Sequence, residues 1–294
     1  MNTAHVGVML PTREALRLGA HVAVDFGVRA EELGFDSVWA GDSLLARPLL
    51  DPLTTLAAVA ARTSSIRLGT AVLLAPLYQP VLLARSIASV DQLSDGRMIV
   101  GVGRGFDLPE TRREFEAAGV DFESRTQRMI DAIELWRSLW NGSGPFDLEP
   151  RPVQPGGPPI WLAGYGPASF RRVADMADGW LPYPPSAEQY REGWAAISGR
   201  AQRAVTPAVM VTMASADEQL DRYAETFYGY PRQIVGLLQA MHAGSPAALV
   251  DALRGYWDAG ARAFLLRLAS LDAPAKLLEL VAQDVLPSLR EWET

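Results

Sequence analysis

The 294-residue chain contains no cysteine and a single lysine, Lys276. Without cysteine there are no disulfides, thiolate metal sites, iron–sulfur ligands or cysteine nucleophiles. Lys276 falls in the predicted terminal helix, so a Schiff-base aldolase or a pyridoxal-phosphate enzyme lacks its pocket amine. A phosphate-loop NTPase lacks its G-x-x-x-x-G-K-[ST] for the same reason. The three histidines, His5, His21 and His242, never fall in H-x-H or H-E-x-x-H spacing, so no metal is assigned. The serine-hydrolase elbow G-x-S-x-G is missing as well, because A-G-D-S-L-L has no second glycine in the right place.

Long apolar runs are absent too. The opening MNTAHVGVML shows no basic stretch leading into an apolar run, and nowhere are there ~20 uninterrupted apolar residues, so a cytoplasmic protein without a membrane span is expected. Lysine and arginine total 27 against 34 acidic residues, a net charge of −7. Nucleic acid and anionic membranes, which demand a clustered basic surface, are therefore set aside as partners. What survives is carboxylate chemistry or chemistry carried by a cofactor.

Hydrophobic residues make up 49% of the chain, enough for a large core, and the length lies near the ~250 residues of one closed α/β barrel. A single (β/α)8 TIM-barrel domain over residues 1–294 is expected. Eight strand candidates alternate with helical stretches: His5–Leu10, Ser37–Ala40, Ile66–Leu73, Arg97–Val102, Pro159–Ala163, Gly179–Leu181, Ala208–Met213 and Ala263–Leu268. Runs such as MIVGV, VMVTM and FLLRL read as strands buried on both faces, as parallel sheets require. Helices are predicted over Arg13–Leu33, Pro52–Arg62, Pro80–Leu93, Ser124–Trp140, Pro167–Ala177, Ala187–Ala204, Pro246–Ala259 and Asp272–Arg290. Several start with proline, whose missing N–H costs nothing there. Gly34 and Gly260 follow helix ends, where glycine takes the left-handed terminating conformation. The Pro- and Gly-rich stretch Asn141–Pro158 reads as a hairpin-bearing surface loop. Ala214–Gly244, with Phe227, Tyr228 and Tyr230, reads as a substrate lid or as ordinary aromatic packing.

Three places suit a phosphate and a flat ring. In PPIWLAGYGPASFRR, the turn Gly164-Tyr165-Gly166-Pro167 exposes backbone N–H groups at a helix start, with Arg171 or Arg172 adding charge, which suits a phosphate or an empty tight turn. In GRMIVGVGRGF, Gly101, Gly103 and Gly105 permit close approach to the backbone, with Arg104 among them, although the spacing is not that of a dinucleotide fingerprint. SIRLGTAVLLAPLYQP reads as a bulged wall or as a plain buried strand.

Taken together, GFDSVWAGDS, IRLGTAVLLAPLYQP, LSDGRMIVGVGRG, PIWLAGYGPASFRRVADMADGW and SPAALVDALRGYWDAGARAFLL resemble the luciferase-like monooxygenase family, in order and spacing across nearly the whole chain. That family includes FMN-dependent monooxygenases and oxidoreductases using the deazaflavin coenzyme F420, on a barrel with an insertion near strand seven. The resemblance implies that Gly164, Tyr165, Gly166 and Pro167 hold the cofactor phosphate. It also implies that Thr70, Ala71 and Val72 lie behind the tricyclic ring, with a non-proline cis peptide between Ala71 and Val72. Two positions depart from relatives. Asp42-Ser43 stands where many have Asp-His, and Phe106 stands where deazaflavin-dependent sugar dehydrogenases have glutamate, so a sugar dehydrogenase is not expected.

The leading expectation is an FMN-dependent monooxygenase using dioxygen on a small organic substrate, with F420-dependent hydride transfer and a non-catalytic flavin carrier as alternatives. Asp42 and Ser43 are the catalytic candidates, and Gly103 and Arg104 join the cofactor set. Phe106, Tyr183, Phe227 and Tyr228 are expected to shape the substrate pocket. A separate flavin reductase and a homodimer follow from the resemblance as expected partners. A carboxylate-dependent hydrolase built on Asp42 is the remote alternative, lacking an evident partner acid or base.

Overall fold

The computed structural model describes residues 3–183 and 186–292. Among these residues nine strands form: β1 (His5–Met9), β2 (Ser37–Ala40), β3 (Arg67–Thr70), β4 (Met98–Val102), β5 (Ile160–Leu162), β6 (Gly179–Trp180), β7 (Thr206–Ala214), β8 (Ala240–Ala243) and β9 (Ala263–Leu268). All ladders between them are parallel. Strands β1 to β7 pair in sequence and β9 pairs with both β7 and β1, which closes an eight-stranded TIM barrel. The ninth strand, β8, was not expected; it pairs with the C-terminal half of β7 alone, Val211 to Ala214 against Ala240 to Ala243.

Around the barrel run α1 (Ala15–Leu18), α2 (His21–Glu32), α3 (Pro52–Ala60), α4 (Pro80–Leu93), α5 (Pro109–Ala117), α6 (Arg125–Trp140), α7 (Pro167–Met176), α8 (Ala187–Ser198), α9 (Asp217–Tyr228), α10 (Arg232–Val235), α11 (Pro246–Asp258), α12 (Pro274–Asp284) and α13 (Leu286–Arg290). Side-chain caps agree with the local sequence: Asp51, Gln79, Ser186 and Ser245 each accept a hydrogen bond from a first-turn N–H, the usual way of satisfying orphan donors. Gly34 and Gly260 take φ of 82° and 109°, ending their helices as glycine allows.

Four expectations need correction. Arg13–Leu33 is two helices, because Gly19 (φ 104°) interrupts it. Asp272–Arg290 also divides, next to Pro287, which has no N–H to continue the ladder. Residues 141–158 contain no hairpin. They are tied instead by Gln154, whose amide bonds Asp91 (2.7 Å) and the Met98 carbonyl (2.8 Å). Finally, α5 went unseen because PETRREFEA is almost wholly polar and gives no apolar stripe.

Strand periodicity sorts the core. Val6, Val8, Val38 and Leu68 face the helices in the larger cluster, whereas Met9, Trp39, Ile99, Trp161, Met210 and Leu265 fill the barrel interior. Trp39 and Trp161 meet at 5.1 Å between ring centroids. The space for Trp39 comes from Gly69, where any Cβ would lie 2.1 Å from the indole. Among the described residues no helix is long and apolar enough to cross a membrane.

Candidate active site

Barrel enzymes assemble their chemistry at the C-terminal ends of the strands, and there this chain opens a cavity of about 540 Å³. Its wall takes Asp42 from beyond β2, Val72 from beyond β3, Gly103 from beyond β4, Gly164 from beyond β5, Tyr183 from beyond β6 and Arg267 from β9. The volume falls within the ~300–1,000 Å³ typical of small-molecule and cofactor sites.

Asp42 is held by two donors from the segment between β3 and α4. Its carboxylate accepts from Leu74 N–H at 2.9 Å and from the Tyr78 hydroxyl at 3.0 Å. Burial outweighs both bonds and raises its pKa to about 6, so the group changes protonation close to neutral pH. Ser43, its neighbour, is engaged otherwise. Its hydroxyl donates to Glu114 at 2.6 Å and accepts from Arg47 N–H at 2.9 Å. The same Glu114 oxygen accepts from Leu45 and Ala46 N–H, so Ser43 and Glu114 together hold the loop after β2 in shape.

At the next side, α7 begins directly from the turn Gly164–Gly166, whose glycines take φ of 121° and 100°. No side chain caps this helix start, so its first-turn N–H groups, at the positive end of the helix dipole, have no partner within the helix. Ser169 lies in that first turn and accepts from Arg172 at 3.0 Å. Burial and the charges of Arg104 and Arg171 lower the Arg172 pKa, the mark of a crowded cationic patch. Of the expected phosphate residues, Gly164 and Tyr165 line the cavity, whereas Gly166 and Pro167 form the helix start beside it.

The wall between these sites is Ala71, Val72 and Gly103. The Ala71–Val72 peptide is cis. A Cβ on Gly103 would approach Val72 Cγ2 to 2.6 Å, so only a glycine leaves that surface as it stands. Thr70 is fully buried and donates its hydroxyl to the Gly101 carbonyl at 2.8 Å; it ties β3 to β4 and does not line the cavity. Arg104 lines it, while Phe106 stands at the rim, 58% exposed.

The remaining end holds residues the sequence reading missed. Arg267, 7% exposed, occupies the same strand face as Ala263 and Leu265, so its side chain enters the barrel. It donates to the hydroxyls of Tyr228 (2.5 Å) and Tyr183 (3.2 Å). Arg13 and Arg47 place their guanidinium carbons 5.0 and 5.3 Å from the Tyr228 ring centroid. Burial by itself would push the Tyr228 phenol up, but the charges of Arg267 and Arg13 reverse this and lower it to about 7. Tyr228 lines the cavity; Phe227 does not, and packs on Tyr223 at 4.8 Å instead. The insertion carrying these aromatics, α9, α10 and β8, borders the cavity with Tyr230, Ile234 and Gln239. A signal for Arg267 was available: a lone arginine inside FLLRL is expensive to bury without a role. For Arg13, Arg47, Gln239 and Tyr78 no local pattern marks the site. Among the described residues no group of three or more His, Cys, Asp or Glu side chains converges on a metal position.

Comparison with known proteins shows the family and the fold. The family model described as luciferase-like monooxygenase matches residues 4–276. An F420-dependent glucose-6-phosphate dehydrogenase of Amycolatopsis mediterranei is 33% identical over 189 residues, 57% of this chain and 54% of that protein. An F420-dependent hydroxymycolic acid dehydrogenase of Mycobacterium tuberculosis is 35% identical over 198 residues, covering 60% of this chain and 52% of its own length. The chain thus spans about half the length of these curated relatives. Among solved structures, the monooxygenase RslO1 of Streptomyces bottropensis superposes with a TM-score of 0.74 at 23% identity, over 96% of this chain and 98% of that one, a likeness of fold.

Proposed function

Since the chain belongs to the luciferase-like monooxygenase family, we propose that it is an oxidoreductase that binds a flavin-type coenzyme, the deazaflavin F420, at the barrel mouth and uses it on a small organic substrate. The observation that carries this reading is the continuity of one cavity past three kinds of surface: the uncapped start of α7, the wall of Ala71, Val72 and Gly103, and the carboxyl of Asp42. An anionic tail, a flat ring and a transferable proton each need one of these.

The residues fit such a group. The N–H groups of Gly164, Tyr165, Gly166, Ala168 and Ser169, with Arg104 and Arg172, would hold the phosphate, and Ala71, Val72 and Gly103 would back the ring. When bound, the coenzyme supplies two-electron redox chemistry that no side chain of this protein can perform. Asp42, poised near neutrality, takes or gives a proton at its carboxylate oxygen while Tyr78 and the Leu74 amide fix its orientation. Tyr228 and Arg267 close the far end, and the insertion around Tyr230 and Ile234 limits access of water.

The sequence alone put FMN first. The F420-dependent relatives shift the weight to the deazaflavin, while FMN with dioxygen stays the second reading on account of Ser43 and Phe106. The first is bound up with Glu114 and the second is exposed, so neither position supplies a proton-handling group, in keeping with the expectation that the substrate is not a sugar phosphate. Fluorescence titration with each coenzyme tests the assignment. Micromolar binding of F420, with FMN at least roughly tenfold weaker, is the expected result. The reverse order promotes the FMN reading, and micromolar binding of neither ends both.

A further inference from the structure

We propose that the end of the cavity formed by Arg13, Arg47 and Gln239 is an anion subsite, and that the substrate carries a carboxylate which these three groups receive. The proposal rests on the reading of the cavity as a coenzyme and substrate site, and names the substrate class for it.

Three buried donors there have no acceptor within hydrogen-bond distance among the described residues: Arg13 Nη1, Arg47 Nε and Gln239 Nε2. All three residues line the cavity, and Gln239 is only 6% exposed. Leaving a buried donor unmade costs about 1–3 kcal/mol, more when it is charged, so three in one place are costly to the chain by itself. Nearby acceptors are already used or badly placed. Tyr228 and Tyr183 accept from Arg267. Glu110 reaches Arg47 only through Nη2, at 3.7 Å. Glu14 is buried beside Tyr223, and burial raises its pKa, which weakens it as a counter-ion.

The chemistry that answers donors of this kind is an acceptor-only group. An ionised carboxylate offers two oxygens and no donor, and guanidinium forks match its planar geometry. Arg13 and Arg47 lie over the Tyr228 ring, a contact that orients the two guanidinium groups while Arg13 Nη1 and Arg47 Nε stay open. The rest of the lining here, Leu10, Ile234, Val235 and Leu238, is apolar and suits a hydrocarbon body behind the acid.

Calorimetric titration of the protein, with and without its coenzyme, using benzoate and hexanoate against benzyl alcohol and hexan-1-ol tests the proposal. Each acid is expected to bind at least roughly tenfold more tightly than its alcohol, the worth of one charge-assisted hydrogen bond. Arg13→Gln and Arg47→Gln should each remove most of that preference, weakening acid binding far more than alcohol binding. Equal binding of acid and alcohol to the unmodified protein, or no acid binding at millimolar concentration, overturns the subsite whether or not the variants fold. Phenyl phosphate binding more tightly than benzoate also overturns it, in favour of a phosphate ester. Coenzyme titration of the same samples separates the two ideas. Bound coenzyme without acid preference sinks the subsite alone, whereas acid preference without coenzyme binding supports the subsite and removes the redox reading.

Discussion

At the N-terminal end of the barrel, Arg97 spends its guanidinium on five bonds, to Ser94, Thr63 twice, Ile66 and Ala60, all between 2.6 and 3.1 Å. At the C-terminal end, Arg13 and Arg47 keep buried nitrogens without a hydrogen-bond partner among the described residues. The same contrast runs through the carboxylates. Asp36 and Asp178 tie the starts of β1 and β5 through Val6 and Ile160 N–H and also meet Arg290 and Arg137. Glu31 gathers three consecutive amides, Ser64 to Ile66. Asp42, by contrast, has its ionisation pushed toward neutrality. Polar groups that close on one another stabilise the fold; polar groups left open or poised await something else.

This division predicts that substitutions at the two ends fail differently. Gly7→Ala is the most damaging, since its Cβ would lie 2.2 Å from Ser37 Oγ and 2.9 Å from the Ser37 carbonyl oxygen. A loss of about 3 kcal/mol or more is expected, seen as a melting temperature lower by roughly 6–10 °C, with coenzyme affinity of the folded protein unchanged. Loss of coenzyme affinity at an unchanged melting temperature would break the comparison. Asp42→Asn should do the opposite: little change in melting, but a fall of about 100-fold in substrate oxidation. In the unmodified protein the rate of that oxidation, which needs a proton acceptor, rises as pH passes about 6, and the variant should lose this inflection. A variant whose pH–rate curve keeps its inflection removes Asp42 from the chemistry.

His5 sharpens the contrast from below. Burial lowers its pKa from 6.5 to about 4, and its Nε2 lies 2.8 Å from Ser37 Oγ, which also accepts from the Trp39 indole. Because the folded value is depressed, the stability it contributes is present above pH 6.5 and is lost as pH falls toward 4. Denaturant melts should show a loss on the order of 2 kcal/mol across that window, flattened in His5→Gln. The smallest effect is expected at Gly164→Ala. The φ of 121° and an approach of 2.8 Å to Ser169 Oγ should weaken coenzyme binding roughly tenfold and cost about 1–2 kcal/mol of stability. A titration indistinguishable from that of the unmodified protein would remove the α7 entrance from the site.

Much of the frame was legible beforehand, for identifiable reasons. Helix α4 begins and ends where proline and the apolar period say it should, and the strands Ser37–Ala40 and Ala263–Leu268 match residue for residue. Pro167 and the glycines before it mark the start of α7 by local backbone chemistry alone. The insertion was harder. β8 is held by one neighbour, and AMHA carries no alternation to announce it; its pairing is a consequence of where β7 projects beyond the short β6.

The site divides along the same line. Asp42, Val72, Gly103 and Gly164 could be picked out because a motif surrounds each of them. Ser43 and Thr70 were chosen on the same grounds, yet Glu114 and the Gly101 carbonyl, brought to them by folding, occupy their hydroxyls. Local patterns thus determined the closed parallel barrel, its helix starts and the glycine-rich cavity edges, because dihedral preference and periodicity act over a few residues. Only the tertiary structure decided which polar atoms are paired and which are open. Arg13, Arg47, Tyr228 and Arg267 lie up to 254 positions apart in the chain, and hydrogen bonding, burial and charge depend on distance in space, not along the sequence.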